Sequence, residues 1–239
     1  MPNNSVYQYG AIAGMVGAIT LFVGTILHPT EAHPNDPSAA FIEYAAHHDW
    51  VAVHLIQLLG VTLMVFALVV LSKMMWDGHG AMVAHLGTVG ATISLAIAAA
   101  LQAVDGIALK VMVDRWEIAP IADKNMIFYA AFGVRQIEVG LASMLSLFLG
   151  STAVIYGLAQ KADSNFRNVV SWLASFGGLG TATAGIVMAQ TGFSDTTMTI
   201  NMPSNLLLLV WMVVTGISMW KIASANVTSF KAIKKDSRA

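Results

Sequence analysis

Long apolar stretches alternate with short polar connections along the whole chain. An apolar stretch of about 20 residues can cross a bilayer as an α-helix. Six such stretches predict transmembrane helices at residues 9–28, 50–72, 81–104, 129–160, 168–190 and 204–223. Their even spacing and short connections predict an all-α integral membrane bundle of six helices, folded as a single transmembrane domain over 1–239.

The composition supports this class of protein. Hydrophobic residues make up 56% of the chain and charged residues 10%, whereas soluble domains carry about 25% charged residues. The absence of cysteine excludes disulfides and thiolate metal sites. A net charge of −1 without a basic block before the C-terminus excludes nucleic acid as a partner. The predicted partner of the surface is therefore the lipid bilayer.

The distribution of lysine and arginine predicts an orientation. Eight of the twelve basic residues fall at the N-terminus, in the 73–80 and 161–167 loops and in the tail from Lys221 onward, with three of the thirteen acids. Basic loops stay on the cytoplasmic side, so both termini are predicted to be cytoplasmic and 224–239 to be a basic cytoplasmic tail. The other side carries ten acids and is predicted to face outward.

Two outer connections carry helical signals that predict short interfacial helices. Asp36 is a suitable N-cap with Pro37 at the first helical position, and Asp49 is a suitable N-cap for the second span, beside Trp50 at the membrane interface. After Asp36, four residues at helical spacing share one face: Phe41, Tyr44, Ala45 and His48.

The segment 105–120 is the second such connection. At helical spacing, its apolar residues fall on one side of a helix, and the charged residues Lys110, Asp114 and Glu117 fall on other sides. This pattern predicts either an interfacial helix or a third span that continues out of the bilayer. The apolar set comprises Leu109, Met112, Val113 and Trp116.

Small residues recur along the fifth span at near-helical spacing, at Ala174, Gly178, Ala182 and Gly185. Small residues let helix backbones approach closely in lipid. Helix packing is the favoured interpretation, and the same face is the candidate surface for a homo-oligomer.

Ionisable side chains occur near the outer ends of four predicted spans. A rise of about 1.5 Å per residue places His54 about 10 Å and His28 about 14 Å from the midplane. An ionisable group in a span is costly unless it is paired or faces a cavity. These residues therefore predict a polar pocket that opens outward: His28, His54, Asp105, Arg135 and Glu138.

Several pairings inside this pocket stay open. Arg135 and Glu138, one helical turn apart, can pair with each other, or Arg135 can pair with Asp105. His54 can instead bond Gln57 or a backbone carbonyl. His85 is about 10 Å from the midplane on the inner side and is too far away to share a metal with His54.

The pocket residues suit a cofactor. His28 and His54 on adjacent helices could ligate haem b, with Arg135 meeting a propionate. They could alternatively bind a transition metal together with Glu138 and Asp105, since mixed histidine and carboxylate ligands suit zinc, iron or copper. Redox or electron-transfer work, with a redox or complex partner, is the leading functional interpretation.

Three other functions stay open. A non-catalytic subunit or scaffold of a membrane complex explains the short loops. It explains the outer polar cluster only as side chains that pair with each other at the interface. A channel or transporter for a small solute would use the glycine-rich fifth span as a broken helix. A membrane hydrolase or isomerase would use Glu138 chemically.

The stretches LQAVDGIALKVMVDRW and VRQIEVGLASMLSLFLG resemble a group of bacterial six-span membrane proteins with no established activity. The resemblance implies a bacterial inner membrane and six spans. It also implies that His54, Asp105, Arg135 and Glu138 belong together.

Overall fold

The structure is a computed structural model that describes the backbone of residues 4–236 and the side chains of residues 4–225. The helices are α1 (Asn4–Leu27), α2 (Pro37–Ala46), α3 (Trp50–Met74), α4 (Ala81–Gln102), α5 (Lys110–Glu117), α6 (Ile121–Ala162), α7 (Asn168–Thr191) and α8 (Asp195–Asp236). A π-helical turn, Ala103–Leu109, joins α4 to α5 without a break. The all-α class is confirmed for the described part of the chain.

Six helices are long and apolar enough to cross a membrane, and they match the six predicted spans. This supports an integral membrane protein. The predicted boundaries were too short in places, because α6 extends over 42 residues from Ile121 and α8 starts at Asp195. The side chains of most of the predicted basic tail lie outside the described residues. The cytoplasmic placement of the termini stays a prediction.

The six long helices form a closed ring in chain order. The contacts run α1–α3, α3–α4, α4–α6, α6–α7, α7–α8 and α8–α1. Helices that short turns connect, such as α6 and α7, are antiparallel neighbours, whereas residues 28–49 with α2 lie between α1 and α3. The interior of the ring is filled mainly by alanine and aliphatic side chains of a single cluster.

The small-residue face of α7 packs against α6, as the packing interpretation predicts. A Cβ added at Gly178 would lie 2.5 Å from the Gly150 carbonyl oxygen, and one added at Gly185 would lie 2.8 Å from the Ser143 carbonyl oxygen. The backbones of the two helices therefore touch along this face. Since α6 of the same chain covers it, this face is not open to a second copy, and the predicted homo-oligomer contact through it is not available.

A second apolar cluster lies at the end of the bundle where α2 and α5 pack against α6. Its buried members are Ala40, Phe41, Tyr44, Ala45, Trp50, Leu109, Val113 and Ala131. We call this end of the bundle the α2 end. Of the two interpretations of 105–120, continuation of the third span is correct, since one helical rod runs from Ala81 to Glu117.

The local helix signals had mixed outcomes. Asp36 caps α2 through its side chain, which accepts hydrogen bonds from the backbone N–H groups of Ser38 and Ala39, as predicted. Asp49 precedes α3 but makes no side-chain cap, so that prediction was wrong. His48 lies in the turn beyond α2 and is exposed. Trp50 is 1% exposed and packs in the second cluster, and its position at the membrane interface stays a prediction.

Candidate metal centre

Three of the predicted residues meet at the α2 end. His28 lies one residue beyond α1, His54 is in the first turns of α3, and Asp105 is in the π-helical turn. One ligand atom from each of the three lies within 4.8 Å of the others. His54 is 1% exposed, and the other two are half-buried. The prediction that the polar residues of the first three spans converge is therefore correct for this trio.

Both imidazoles are oriented by backbone carbonyls. Nδ1 of His28 donates to the Pro29 carbonyl at 2.8 Å, and Nδ1 of His54 donates to the Trp50 carbonyl at 2.7 Å. A carbonyl can only accept, so Nδ1 carries the proton in each ring. Such a bond fixes the tautomer in which Nε2 is free to bind a metal.

The second nitrogen of His54 faces a carboxylate. Nε2 of His54 lies 3.0 Å from Oδ2 of Asp105. In neutral His54 this nitrogen is an acceptor, because the single ring proton is already on Nδ1. Two acceptors at hydrogen-bond distance repel each other unless a proton or a metal cation lies between them. The contact therefore needs a proton or a metal cation between the two atoms.

The other oxygen of Asp105 is an orphan. Oδ1 is buried and has no hydrogen-bond partner among the described residues. An unpartnered buried carboxylate oxygen is costly and calls for an explanation such as a bound ion. The main chain of Asp105 is anchored, since Nε1 of Trp50 donates to its carbonyl at 3.0 Å. The side chain is thus held in place and left incompletely bonded.

The π-helical turn brings Asp105 to His54. π-turns inserted in α-helices occur often at functional sites, because the extra residue redirects side chains. Gly106 provides the close approach, since a Cβ at this position would lie 2.6 Å from Cβ of His54. Only glycine lets the turn come this near to α3.

An aromatic wall closes the trio from one side. The Trp50 ring is centred 4.9 Å from His28, 4.5 Å from His54 and 4.2 Å from Tyr44. The His28 and His54 rings are 5.1 Å apart, in edge contact at 62°. Neither Trp50 nor Tyr44 is among the predicted pocket residues, although the tryptophan at the first position of α3 was a usable signal.

Arg135 and Glu138 form a separate buried pair. Nη1 of Arg135 donates to Oε2 of Glu138 and to the Tyr44 hydroxyl, both at 3.0 Å, and Nη2 donates to the Pro34 carbonyl at 2.7 Å. The two side chains are 3% and 4% exposed. Of the two predicted pairings, the one within α6 is observed, and Asp105 has no contact with Arg135 among the described side chains.

Charge and burial act on two side chains outside the spans. Burial lowers the pKa of His28, and the neighbouring His54 lowers it further against the opposing charge of Asp105. Burial raises the pKa of the Tyr44 hydroxyl, which Arg135 opposes and the carboxylates of Glu138 and Asp105 reinforce. Tyr44 therefore lies within electrostatic range of both the ion pair and the trio.

Lys110 supports the wall from the α5 side. Its ammonium donates to the Tyr44 and Ala45 carbonyls at 2.9 and 3.0 Å and to Oδ1 of Asp114 at 2.7 Å. It thereby satisfies the last carbonyls of α2, where a cation is favourable. Lys110 was predicted to lie away from the apolar side of this segment, but the residue is buried, at 8% exposed. In the sequence, the four-residue spacing between Lys110 and Asp114 was the only signal that Lys110 is paired.

The glutamines lie one turn deeper than the trio. Nε2 of Gln102 donates a hydrogen bond to Oε1 of Gln57 at 3.3 Å. Nε2 of Gln57 in turn donates to the Gly24 carbonyl at 3.3 Å. Gln57 therefore does not bond His54, and the Trp50 carbonyl is the partner instead. Oε1 of Gln102 is also buried without a partner among the described residues.

His85 is at the opposite end of the bundle, as predicted from its depth. Its Nδ1 donates to the Ala81 carbonyl at 2.7 Å, the same bond to a carbonyl four residues back that His54 makes. The Trp76 ring lies 4.5 Å from the imidazole. No carboxylate approaches His85 among the described side chains, so this residue is a natural control for His54.

No protein-family model, curated protein or solved structure matches this chain. The functional interpretation therefore depends on the residues themselves.

Proposed function

We propose that the protein binds a divalent transition-metal ion through His28, His54 and Asp105, at the end of a membrane bundle. The observation that carries this proposal is the pair of acceptors, Nε2 of His54 and Oδ2 of Asp105, at 3.0 Å. A metal ion bound by both would remove their repulsion. Two histidines and one carboxylate suit zinc, iron or copper.

The surroundings support a metal ion in preference to a lone proton. The orphan Oδ1 of Asp105 offers a further ligand atom. His28 contributes a second ring nitrogen within 4.8 Å of the other ligand atoms, which a simple ion pair between His54 and Asp105 does not need. The lowered pKa of His28 keeps this ring neutral, and a metal binds the neutral imidazole.

A metal ion also fits this arrangement better than haem b does. A haem held by two histidines has its macrocycle between the imidazoles, whereas these two rings are in edge contact. Arg135, the residue expected to meet a propionate, has three acceptors of its own. Redox or electron-transfer work stays part of the proposal in the case where the bound metal is iron or copper.

Metal analysis of the purified full chain tests the proposal. Cells are grown with zinc, iron, copper and manganese supplied, and bound metal is measured by mass spectrometry alongside a visible spectrum. We expect close to one metal ion per chain in the wild type. His54→Ala and Asp105→Asn should each lose most of it, and His85→Ala should keep it, since His85 has the same backbone bond without the carboxylate.

Three outcomes would overturn the proposal. They are a metal-free wild type, metal retained by both site variants, and metal lost equally in His85→Ala. A Soret band that disappears in His54→Ala would restore the haem interpretation. A colourless, metal-free protein would favour the non-catalytic subunit, with His54 and Asp105 as a buried ion pair.

A further inference from the structure

A polar cleft of about 200 Å³ lies at the opposite end of the bundle from the metal centre. It is formed by the start of α1, the α3–α4 turn, the α6–α7 turn and α8. Its lining residues are Tyr7, Lys73, Met74, Asp77, Asp163, Asn165, Phe166 and Ile222. This volume is below the range of about 300–1,000 Å³ typical of sites for drug-sized ligands. The cleft therefore suits one small charged group.

Asp163 is the buried anion of this cleft. The residue is 7% exposed. Its Oδ1 accepts hydrogen bonds from the backbone and side-chain nitrogens of Asn165, both at 2.9 Å. Oδ2 has no hydrogen-bond partner among the described side chains, although Gly78 of the α3–α4 turn closely approaches it. Because no described protein donor occupies this oxygen and Asp163 lines the cleft, Oδ2 can accept a hydrogen bond from a ligand that carries an N–H group.

Lys73 and Asp77 complete the charge pattern. Both are exposed at the rim of the cleft, and neither has a salt-bridge partner among the described residues. A ligand that matches this pattern carries an ammonium group for the two carboxylates and an anion for the lysine. Met74, Phe166 and Ile222 add apolar walls beside these charges.

The cleft is at the level where lipid headgroups lie. Trp76, next to Asp77, is 61% exposed, and Trp172 on the neighbouring α7 is 51% exposed. The ammonium of Lys161 lies 5.1 Å above the Trp172 ring. Exposed tryptophans with adjacent lysines mark the membrane–water interface.

We propose that this cleft binds the headgroup of phosphatidylethanolamine, with the primary ammonium at Asp163 and Asp77 and the phosphate at Lys73. A primary ammonium can donate hydrogen bonds to the unpartnered oxygen of Asp163. The trimethylated ammonium of phosphatidylcholine cannot donate, and phosphatidylglycerol has no cation. The site is independent of the metal centre.

Lipid competition on the full chain tests this assignment. The detergent-purified protein is incubated with equal amounts of phosphatidylethanolamine, phosphatidylcholine and phosphatidylglycerol, and retained lipid is counted by native mass spectrometry. The wild type should retain phosphatidylethanolamine about tenfold more than phosphatidylcholine, the size expected for a hydrogen bond to a charged group. Asp163→Asn should remove this preference while keeping the oxygen that accepts from Asn165.

Lys73→Gln should lower the retention of phosphatidylethanolamine about two- to fivefold, as expected for an exposed ion pair, without changing the preference over phosphatidylcholine, because both lipids carry the phosphate. Lys161→Gln removes a lysine from the same end outside the cleft and should change nothing. Asp77→Asn, at an exposed position, replaces Asp163→Asn if that variant fails to fold, and should weaken retention to the extent that Lys73→Gln does. Equal retention of the three lipids, an unchanged preference in the aspartate variants, unchanged retention in Lys73→Gln, or an equal loss in Lys161→Gln would overturn the proposal.

Discussion

Gly106→Ala is the sharpest test of how the π-helical turn builds the metal centre. The new Cβ would lie 2.6 Å from Cβ and 3.0 Å from Cγ of His54, where ordinary contact starts at 3.4 Å. Both partners sit close to a helical backbone and cannot rotate away. The turn and α3 must therefore separate by about 0.8 Å, the difference between the first and last of these distances.

The magnitude follows from two opposing effects. Forcing an extra carbon into a packed helix contact costs about 1–3 kcal/mol. Alanine in place of a helical glycine returns about 0.5–1 kcal/mol. We expect a net loss of about 1–2 kcal/mol in the free energy of unfolding. We expect a larger effect on metal binding, with most of the bound metal lost, because ligand distances in metal sites are held within about 0.2 Å.

Gly140→Ala is the matched control. Nothing lies within 4 Å of a Cβ at this position, so the substitution changes only backbone entropy. We expect it to raise the free energy of unfolding slightly and to leave metal content unchanged. Both variants are measured by denaturant unfolding in the same detergent, together with metal stoichiometry. If Gly106→Ala is as stable as Gly140→Ala and keeps its metal, the close approach of the turn to His54 is wrong.

Three further predictions concern the surroundings of the trio. Arg135→Met should lower the free energy of unfolding by about 3–5 kcal/mol, because Glu138 stays buried without its partner. The double variant Arg135→Met/Glu138→Met should recover most of this loss in the same unfolding measurement. If it recovers none, the pairing of Arg135 with Glu138 is wrong. Lys110→Met should cost about 1–3 kcal/mol through the unsatisfied Tyr44 and Ala45 carbonyls, whereas Arg115→Met, an exposed change on the same helix, should cost less than about 0.5 kcal/mol. The metal-free protein should unfold more easily as the pH falls through 6.5. The pKa of His28 is lowered from that value only in the folded state, so the unfolded chain takes up the proton first. Measurements of unfolding at about pH 7.5 and 5.5 check this, and His28→Gln should show a weaker pH dependence.

Much of the fold could be predicted from the sequence because hydrophobic length is a local property. Six apolar stretches predicted the six long helices, and Asp36 with Pro37 predicted the start of α2. Helix depth also follows from position alone, so His28 and His54 could be assigned to one end and His85 to the other. The prediction failed where a helix continues through polar residues, as α6 does before residue 129.

The rotation of each helix required the tertiary structure. Periodicity left Asp105 equally able to meet Arg135 or His54, and the π-helical turn decided for His54 by adding a residue to the helix. Arg135 and Glu138, expected in the same pocket, pair with each other and with Tyr44 on α2. Such contacts join residues 91 positions apart, which no local pattern encodes.

The sequence by itself determined the class of protein, the number of long helices and the level of each ionisable residue, because these follow from composition and from the constant rise of a helix. Only the tertiary structure decided which polar atoms face each other. The approach of Asp105 to His54, the orphan oxygen of Asp105 and the position of Gly78 beside Asp163 depend on side-chain direction and on neighbours distant in the chain. Chemistry at both ends of this bundle therefore became visible only once helix packing had fixed those directions.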